Sequence, residues 1–177
     1  FRQVLWIIAD TSGSLSRAIS FYGTINFDGN GKYTINNAQV FDSNAGAPQS
    51  FSVSGTYSIS ASGYGFISHP LSSGTLVYGL VSRGLFIGSS TESGFNDLFI
   101  SAPLASPAPT NASFQGAYSM VDVDYSSGVP TASIDSQFQL NADGNGNLGS
   151  VQVTGYIAAR GTSVVTQNIT GVKYFFS

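Results

Sequence analysis

Two short stretches carry the residue types that bind cations: FDGNGKY at 27–33 and ADGNGNL at 142–148. Both set Asp, Gly, Asn and Gly in the same order. A calcium loop of the EF-hand type needs oxygen ligands at positions 1, 3 and 5, glycine at 6 and a bidentate acid at 12. Counting from Asp28, Lys32 places a cation at position 5. Counting from Asp143, Asn147 offers an oxygen there, but Leu148 replaces the glycine and Thr154 the acid. The same residues suit a tight turn. Asn30-Gly31 and Asn145-Gly146 accept positive φ, and Asp28 and Asp143 can bond the turn backbone. Both stretches therefore read as turns between strands, with weak calcium binding over residues 143–147 kept as the alternative for the second.

Other chemistry is sparse. His69, in SHPL, is the only histidine. A Ser–His–Asp triad would have to use it, because the base must be an imidazole within reach of the nucleophile. No G-x-S-x-G elbow accompanies it, and one histidine does not make a metal site. It reads as a surface or strand-end residue. Asp122 and Asp124, in MVDVDY, share a strand face by their spacing. Paired carboxyls at glycosidase distance are conceivable there, but a solvent-facing or interface pair is the simpler reading. Glu92 reads as loop. Asn111-Ala-Ser and Asn168-Ile-Thr match the glycosylation pattern without further support. No residue is assigned a catalytic, cofactor-binding or metal-binding role, and no cofactor is implied.

The elements that would position such residues are strands. The chain of 177 residues is 42% apolar and only 8% charged, against roughly 25% charged in globular proteins at large. Ser, Thr, Asn and Gly supply the polarity, which solubilises a sheet without opposing it. The net charge is −3, and the six basic residues are scattered. No patch could neutralise a run of phosphates, so nucleic acid is excluded as a partner. With no cysteine, disulfides and thiolate chemistry are absent. The apolar run at 4–9 is too short for a signal core or a membrane helix. A removed export signal upstream of Phe1 is our expectation.

Helical periodicity is missing, while short alternating runs closed by Gly, Ser, Asn or Asp recur. They predict strands at about 2–9, 18–27, 32–41, 50–60, 64–69, 75–82, 85–90 and 95–101. Within them Ile19, Phe21, Ile25 and Phe27 share one face, as do Val53, Tyr57 and Ile59, and Leu76, Tyr78 and Leu80. SRG at 82–84 predicts a hairpin. Three prolines in APLASPAPTNAS forbid a central strand, so residues 103–113 read as a linker.

The pattern then restarts. Ile19, Ile25 and Asp28 match Ile134, Leu140 and Asp143 at a spacing of 115, and Gly55 matches Gly171 at 116. The expected fold class is all-β: antiparallel strands in barrel- or sandwich-like repeats, one full copy at 1–102 and a partial second copy at 114–177. About eight strands could close the first copy. Four or five leave the second with an apolar face and two edges to be covered, by merging with the first copy, by docking on it or by another chain. Aromatic residues, at 13%, read mainly as cross-strand packing pairs. An outer-membrane barrel fits poorly, given the prolines, the repeat and the mid-chain linker.

FQGAYSM, F.L.ADGNGN, SGTYSIS...GYGF and GFNDLFISAPLASPAPTNASFQG resemble β-rich repeats of uncharacterised secreted acidobacterial proteins, which combine a G-x-Y strand, a DGxG turn and a Pro/Ala linker. The resemblance spans nearly the whole chain and carries over no functional residue. It implies export and a modular extracellular role. A lipocalin match fails, because Trp6 lacks the glycine of the G-x-W signature. The expected function is that of a non-enzymatic, exported structural or adhesive β protein that self-associates into a fibre or surface layer by strand or sheet addition. Glycan or cell-surface contact is a further option, and no membrane span is expected. The alternative is a barrel or sandwich binding module for a small apolar ligand or a glycan.

Overall fold

A computed structural model describes residues 1–125, 133–157 and 163–176. Thr131 and Ala132, which open the matched stretch of the second copy, and Arg160 lie outside the described residues. The chain is all-β, with a single 3-10 turn at Asn111–Ser113 as its helical element among the described residues. Among the described residues no helix is long and apolar enough to cross a membrane. The chain divides into two units, Phe1–Pro103 and Leu104–Ser177.

The first unit is a closed antiparallel barrel. Its strands are β1 (Arg2–Ile8), β2 (Leu15–Tyr22), β3 (Ile25–Phe27), β4 (Lys32–Asp42), β5 (Gln49–Ile59), β6 (Tyr64–Ser68), β7 (Leu76–Ser82), β8 (Leu85–Ser89), β9 (Thr91–Glu92) and β10 (Phe95–Ser101). Eight of them form a ring in the order β1-β2-β4-β5-β6-β7-β8-β10, and β10 pairs back onto β1. The short β3 and β9 pair on β4 and β10. An eight-stranded barrel is just wide enough for side chains to fill. Phe21, Tyr33, Ile35, Ile67, Val77, Phe86 and Phe99 do so here, all buried in one cluster.

One expected strand needs correction. The run 18–27 is not one strand. Gly23 exchanges hydrogen bonds with Phe1, its N–H donating to Phe1 O at 3.1 Å and its carbonyl accepting from the Phe1 amino group at 2.8 Å. That ends the β1–β2 ladder, and the chain restarts as β3 against the start of β4. The four residues placed on one face are therefore split: Phe21 is fully buried while Phe27 is exposed. In β7 Leu76, Tyr78 and Leu80 share one face as expected; it is the outward one, and Val77 points into the core. Because both faces of that strand are apolar, alternation alone could not orient it.

The hairpin at residues 82–84 is present. Arg83 (φ 51°) and Gly84 (φ 79°) form the two-residue turn between β7 and β8, the backbone geometry that matches strand twist.

The second unit is a four-stranded antiparallel meander: β11 (Gln115–Tyr125), β12 (Ser133–Asp143), β13 (Asn147–Ile157) and β14 (Val164–Lys173), in sequence order. Among the described residues Ala142, Leu148 and Val151 form its buried apolar cluster, with Phe114, Tyr118, Phe138, Leu140 and Tyr174 packed around them. At one end Phe114 stacks on Tyr118 at 4.3 Å and meets Tyr174 edge-on at 5.0 Å. The Tyr174 hydroxyl donates to Phe114 O at 2.7 Å, which ties residues after β14 to those before β11.

Candidate functional site

The two DGNG stretches form the same turn twice. Asp28 Oδ1 accepts the N–H of Asn30 at 2.7 Å and of Lys32 at 2.9 Å. Asp143 Oδ1 accepts the N–H of Asn145 at 2.7 Å and of Asn147 at 3.0 Å. Gly29, Gly31, Gly144 and Gly146 all have positive φ. The carbonyl of Gly31 accepts the Tyr57 N–H at 2.9 Å, and that of Gly146 accepts the Tyr174 N–H at the same distance. Tyr57 and Tyr174 lie 117 residues apart, against 115 for the two turns, so the second copy carries two extra residues by that point, one of them between Gly171 (φ 69°) and Tyr174 beside the irregular stretch of β14. Hydrogen bonds from the turn amides hold Asp28 and Asp143 below the usual carboxylate range; at Asp143 the Asn147 side chain contributes most. Each carboxylate is engaged as the internal acceptor of its turn.

Asp122 and Asp124 lie on the edge strand β11, opposite Ser136 and Ile134. They share their face with Tyr118 and Met120, which is the apolar face of the sheet, and both are exposed. Charged residues on the apolar side of an edge strand are a device that discourages sheet extension at that edge. Glu92 falls in the short β9, not in a loop.

His69 is at a strand end, just after β6, but it is buried and not on the surface. It belongs to a polar cluster inside one end of the barrel, with Gln3 on β1, Asp97 on β10 and Ser90 after β8, all buried. The Leu71 N–H donates to His69 Nδ1 at 3.1 Å, so the neutral ring carries its hydrogen on Nε2. Asp97 Oδ2 then accepts from Gln3 Nε2 at 2.6 Å and lies 3.5 Å from His69 Nε2, and these two nitrogens are themselves only 3.0 Å apart. Asp97 Oδ1 accepts from the Ser90 N–H at 2.5 Å and the Ser90 hydroxyl at 2.7 Å. Burial pushes the Asp97 carboxyl up, and the hydrogen bonds from His69, Ser90 and Gln3 together outweigh it, leaving the group below the usual range.

The cluster holds a serine, a histidine and an aspartate, but their order is not that of a nucleophilic triad. There the hydroxyl bonds the imidazole and the imidazole bonds the carboxylate; here the hydroxyl bonds the carboxylate. The cluster ties three loop-bearing strand ends to β1 and reads as structural. Sequence reasoning passed over Asp97, although its place between Phe95 and Phe99 put an acid on the inward face of an alternating strand. Gln3 Oε1 is buried without a hydrogen-bond partner.

What remains chemically open is the second sheet. β12 and β13 are paired on both sides, whereas β11 and β14 are the sheet's edges. Met120, Phe138 and Val153 form a row across its apolar face, directly opposite one another in register. The other face carries amides and hydroxyls: Gln137, Gln139 and Asn141 alternate along β12, beside Ser119 and Gln152.

Comparison with protein-family models, with curated proteins and with solved structures gave no match.

Proposed function

We propose that this chain is a non-enzymatic, exported structural or adhesive β protein that self-associates through its four-stranded unit. The observation that carries this reading is the contrast between the units. The first closes its ring and fills its interior; the second repeats the same turn but has two edge strands and an apolar face bearing an exposed methionine. A face of that kind gains by being covered, at roughly 25 cal/mol per Å² of apolar area removed from water. Low charge lowers the repulsion between subunits that must approach closely. Sedimentation velocity and electron microscopy of the native chain test the proposal. Concentration-dependent large species, as rods or layers, are expected; a dispersed monomer at millimolar concentration would sink it.

A second reading, glycan binding, is favoured by one feature. The amide face of the second sheet surrounds a depression of about 480 Å3 lined by Gln137, Gln139, Asn141 and Gln152. Uncharged donors and acceptors at alternate strand positions suit a neutral hydroxyl-rich ligand. A ligand held inside the barrel is disfavoured, because large side chains occupy that space. Affinity electrophoresis against neutral polysaccharides, with Gln139→Ala as control, tests this reading.

A further inference from the structure

The outside of the barrel carries a row of apolar side chains that the core does not use. Tyr64 lies opposite Leu80, Leu80 opposite Ile87, and Ile87 opposite Ile100. Ile100 lies opposite Arg2, and Arg2 opposite Tyr22. The row thus crosses six strands in register, and the Tyr22 ring stacks on Phe41 of a seventh at 5.9 Å. Leu80 is 59% and Tyr64 55% exposed. An antiparallel sheet that faces water on one side is ordinarily polar there, and a contiguous apolar stripe on a barrel exterior marks an interaction surface. Its one charge is Arg2. The Arg2 guanidinium donates to Ser20 Oγ at 3.3 Å and has no carboxylate partner among the described residues.

The second unit has the complementary arrangement. Its apolar row of Met120, Phe138 and Val153 is followed, one step along the same face of β11, by Asp122. Pairing like with like brings only same-sign charges into one interface: Arg2 from both copies in stripe on stripe, and Asp122 and Asp124 from both copies in sheet on sheet. Like charges across an interface suppress that pairing, whereas opposite ones favour it.

Resting on the self-association proposed above, we propose that the barrel stripe of one molecule receives the apolar sheet face of the second unit of another copy, with Arg2 set opposite Asp122. Two unlike surfaces on one chain make a heterologous contact, and such a contact extends into a filament when its rotation does not close a ring. Strand addition at β11 is not required, since the packing is face to face.

Charge exchange tests the pairing. Arg2 and Asp122 are both exposed, so Arg2→Glu and Asp122→Lys leave the fold intact, checked by far-ultraviolet circular dichroism. Each single variant raises the concentration for half-assembly, read by sedimentation velocity, by about tenfold or more, and the double variant returns it to near the native value. Leu80→Gln raises it as well. If the native chain assembles and all four variants assemble like it, the contact lies elsewhere and this inference falls while self-association stands. If the singles weaken assembly and the double does not recover, the Arg2–Asp122 pairing is wrong. If the native chain stays monomeric and sediments faster than Arg2→Glu, the stripe is covered by its own second unit, which overturns the inference and the self-association together. A monomer unaffected by any variant overturns both as well.

Discussion

Tyr33 and Gly55 face each other on neighbouring strands, and the tyrosine ring fills the space a side chain at Gly55 would need. A Cβ at Gly55 would stand 2.5 Å from Tyr33 Cε1 and 2.1 Å from Ser68 Oγ. Neither neighbour is free to give way. The Tyr33 hydroxyl donates to Ser68 O at 2.7 Å, and Ser68 Oγ accepts the Thr56 N–H at 2.9 Å. A ring lying over a strand glycine also pins register.

Gly55→Ala is therefore expected to destabilise the barrel by about 1–3 kcal/mol, the usual cost of overpacking. It should appear as a lower urea midpoint with an unchanged slope. Gly171, its sequence match, has open space around it and φ of 69°. Gly171→Ala should cost only the backbone strain of positive φ, on the order of 1 kcal/mol. Equal effects at both sites would refute the packing argument.

Asp97 should govern part of the acid sensitivity of the barrel. Its folded pKa is depressed, so the stability it contributes is present above its unfolded value, near 3.9, and is lost as pH falls through the folded value. Asp97→Asn keeps an acceptor for Ser90 but sets an amide N–H against Gln3 or His69. It should cost about 1–3 kcal/mol at pH 7 and flatten the loss of stability below about pH 4. Urea unfolding across that range measures both. An acid limb as steep as in the native chain would remove Asp97 from the account and leave it to Asp10, Asp28 and Asp42, the barrel's other carboxylates with depressed values.

Much of the fold was legible because turn chemistry and alternation agreed along most of the first unit. Phe95 through Ser101 alternates cleanly behind Gly94, and Lys32 through Ile35 does so behind Gly31, before Asn37 (φ 52°) shifts the register of β4. What was not legible depended on long-range pairing. Gly23 breaks its strand because Phe1 lies beside it, a contact no local window contains. Val77 and Tyr78 are both apolar, so only the closed ring decides which points inward. His69 was misplaced for the same reason: Pro70 marked the strand end correctly, but the carboxylate that makes burial tolerable comes from Asp97, 28 residues on. Gly55 and Gly171 align in sequence although only Gly55 is crowded, because the extra residue near Gly171 shifts what packs there.

The second DGNG stretch should behave as a turn in solution. Asp143 Oδ2 accepts the Asn147 amide at 2.8 Å while Oδ1 holds two backbone N–H groups. Millimolar calcium against chelator should leave the melting temperature unchanged, and Asp143→Ala should lower the stability of the second unit in both conditions. A calcium-dependent rise in melting temperature that Asp143→Ala abolishes would restore the cation reading, since a ligand that binds only the folded state stabilises it by mass action.

Residues 1–103 expressed alone should fold. All ten strands of the first unit pair with one another, and its buried cluster is drawn from residues 21 to 99. The fragment should unfold cooperatively and keep the depressed carboxyl of Asp97. It should also stay monomeric, because it has the apolar stripe but not the sheet face proposed to cover it. Sedimentation velocity and urea unfolding decide between outcomes. A fragment that unfolds would show that the barrel depends on the second unit for stability. A folded fragment that assembles as readily as the full chain would place the association surface wholly on the barrel, with stripe meeting stripe despite Arg2.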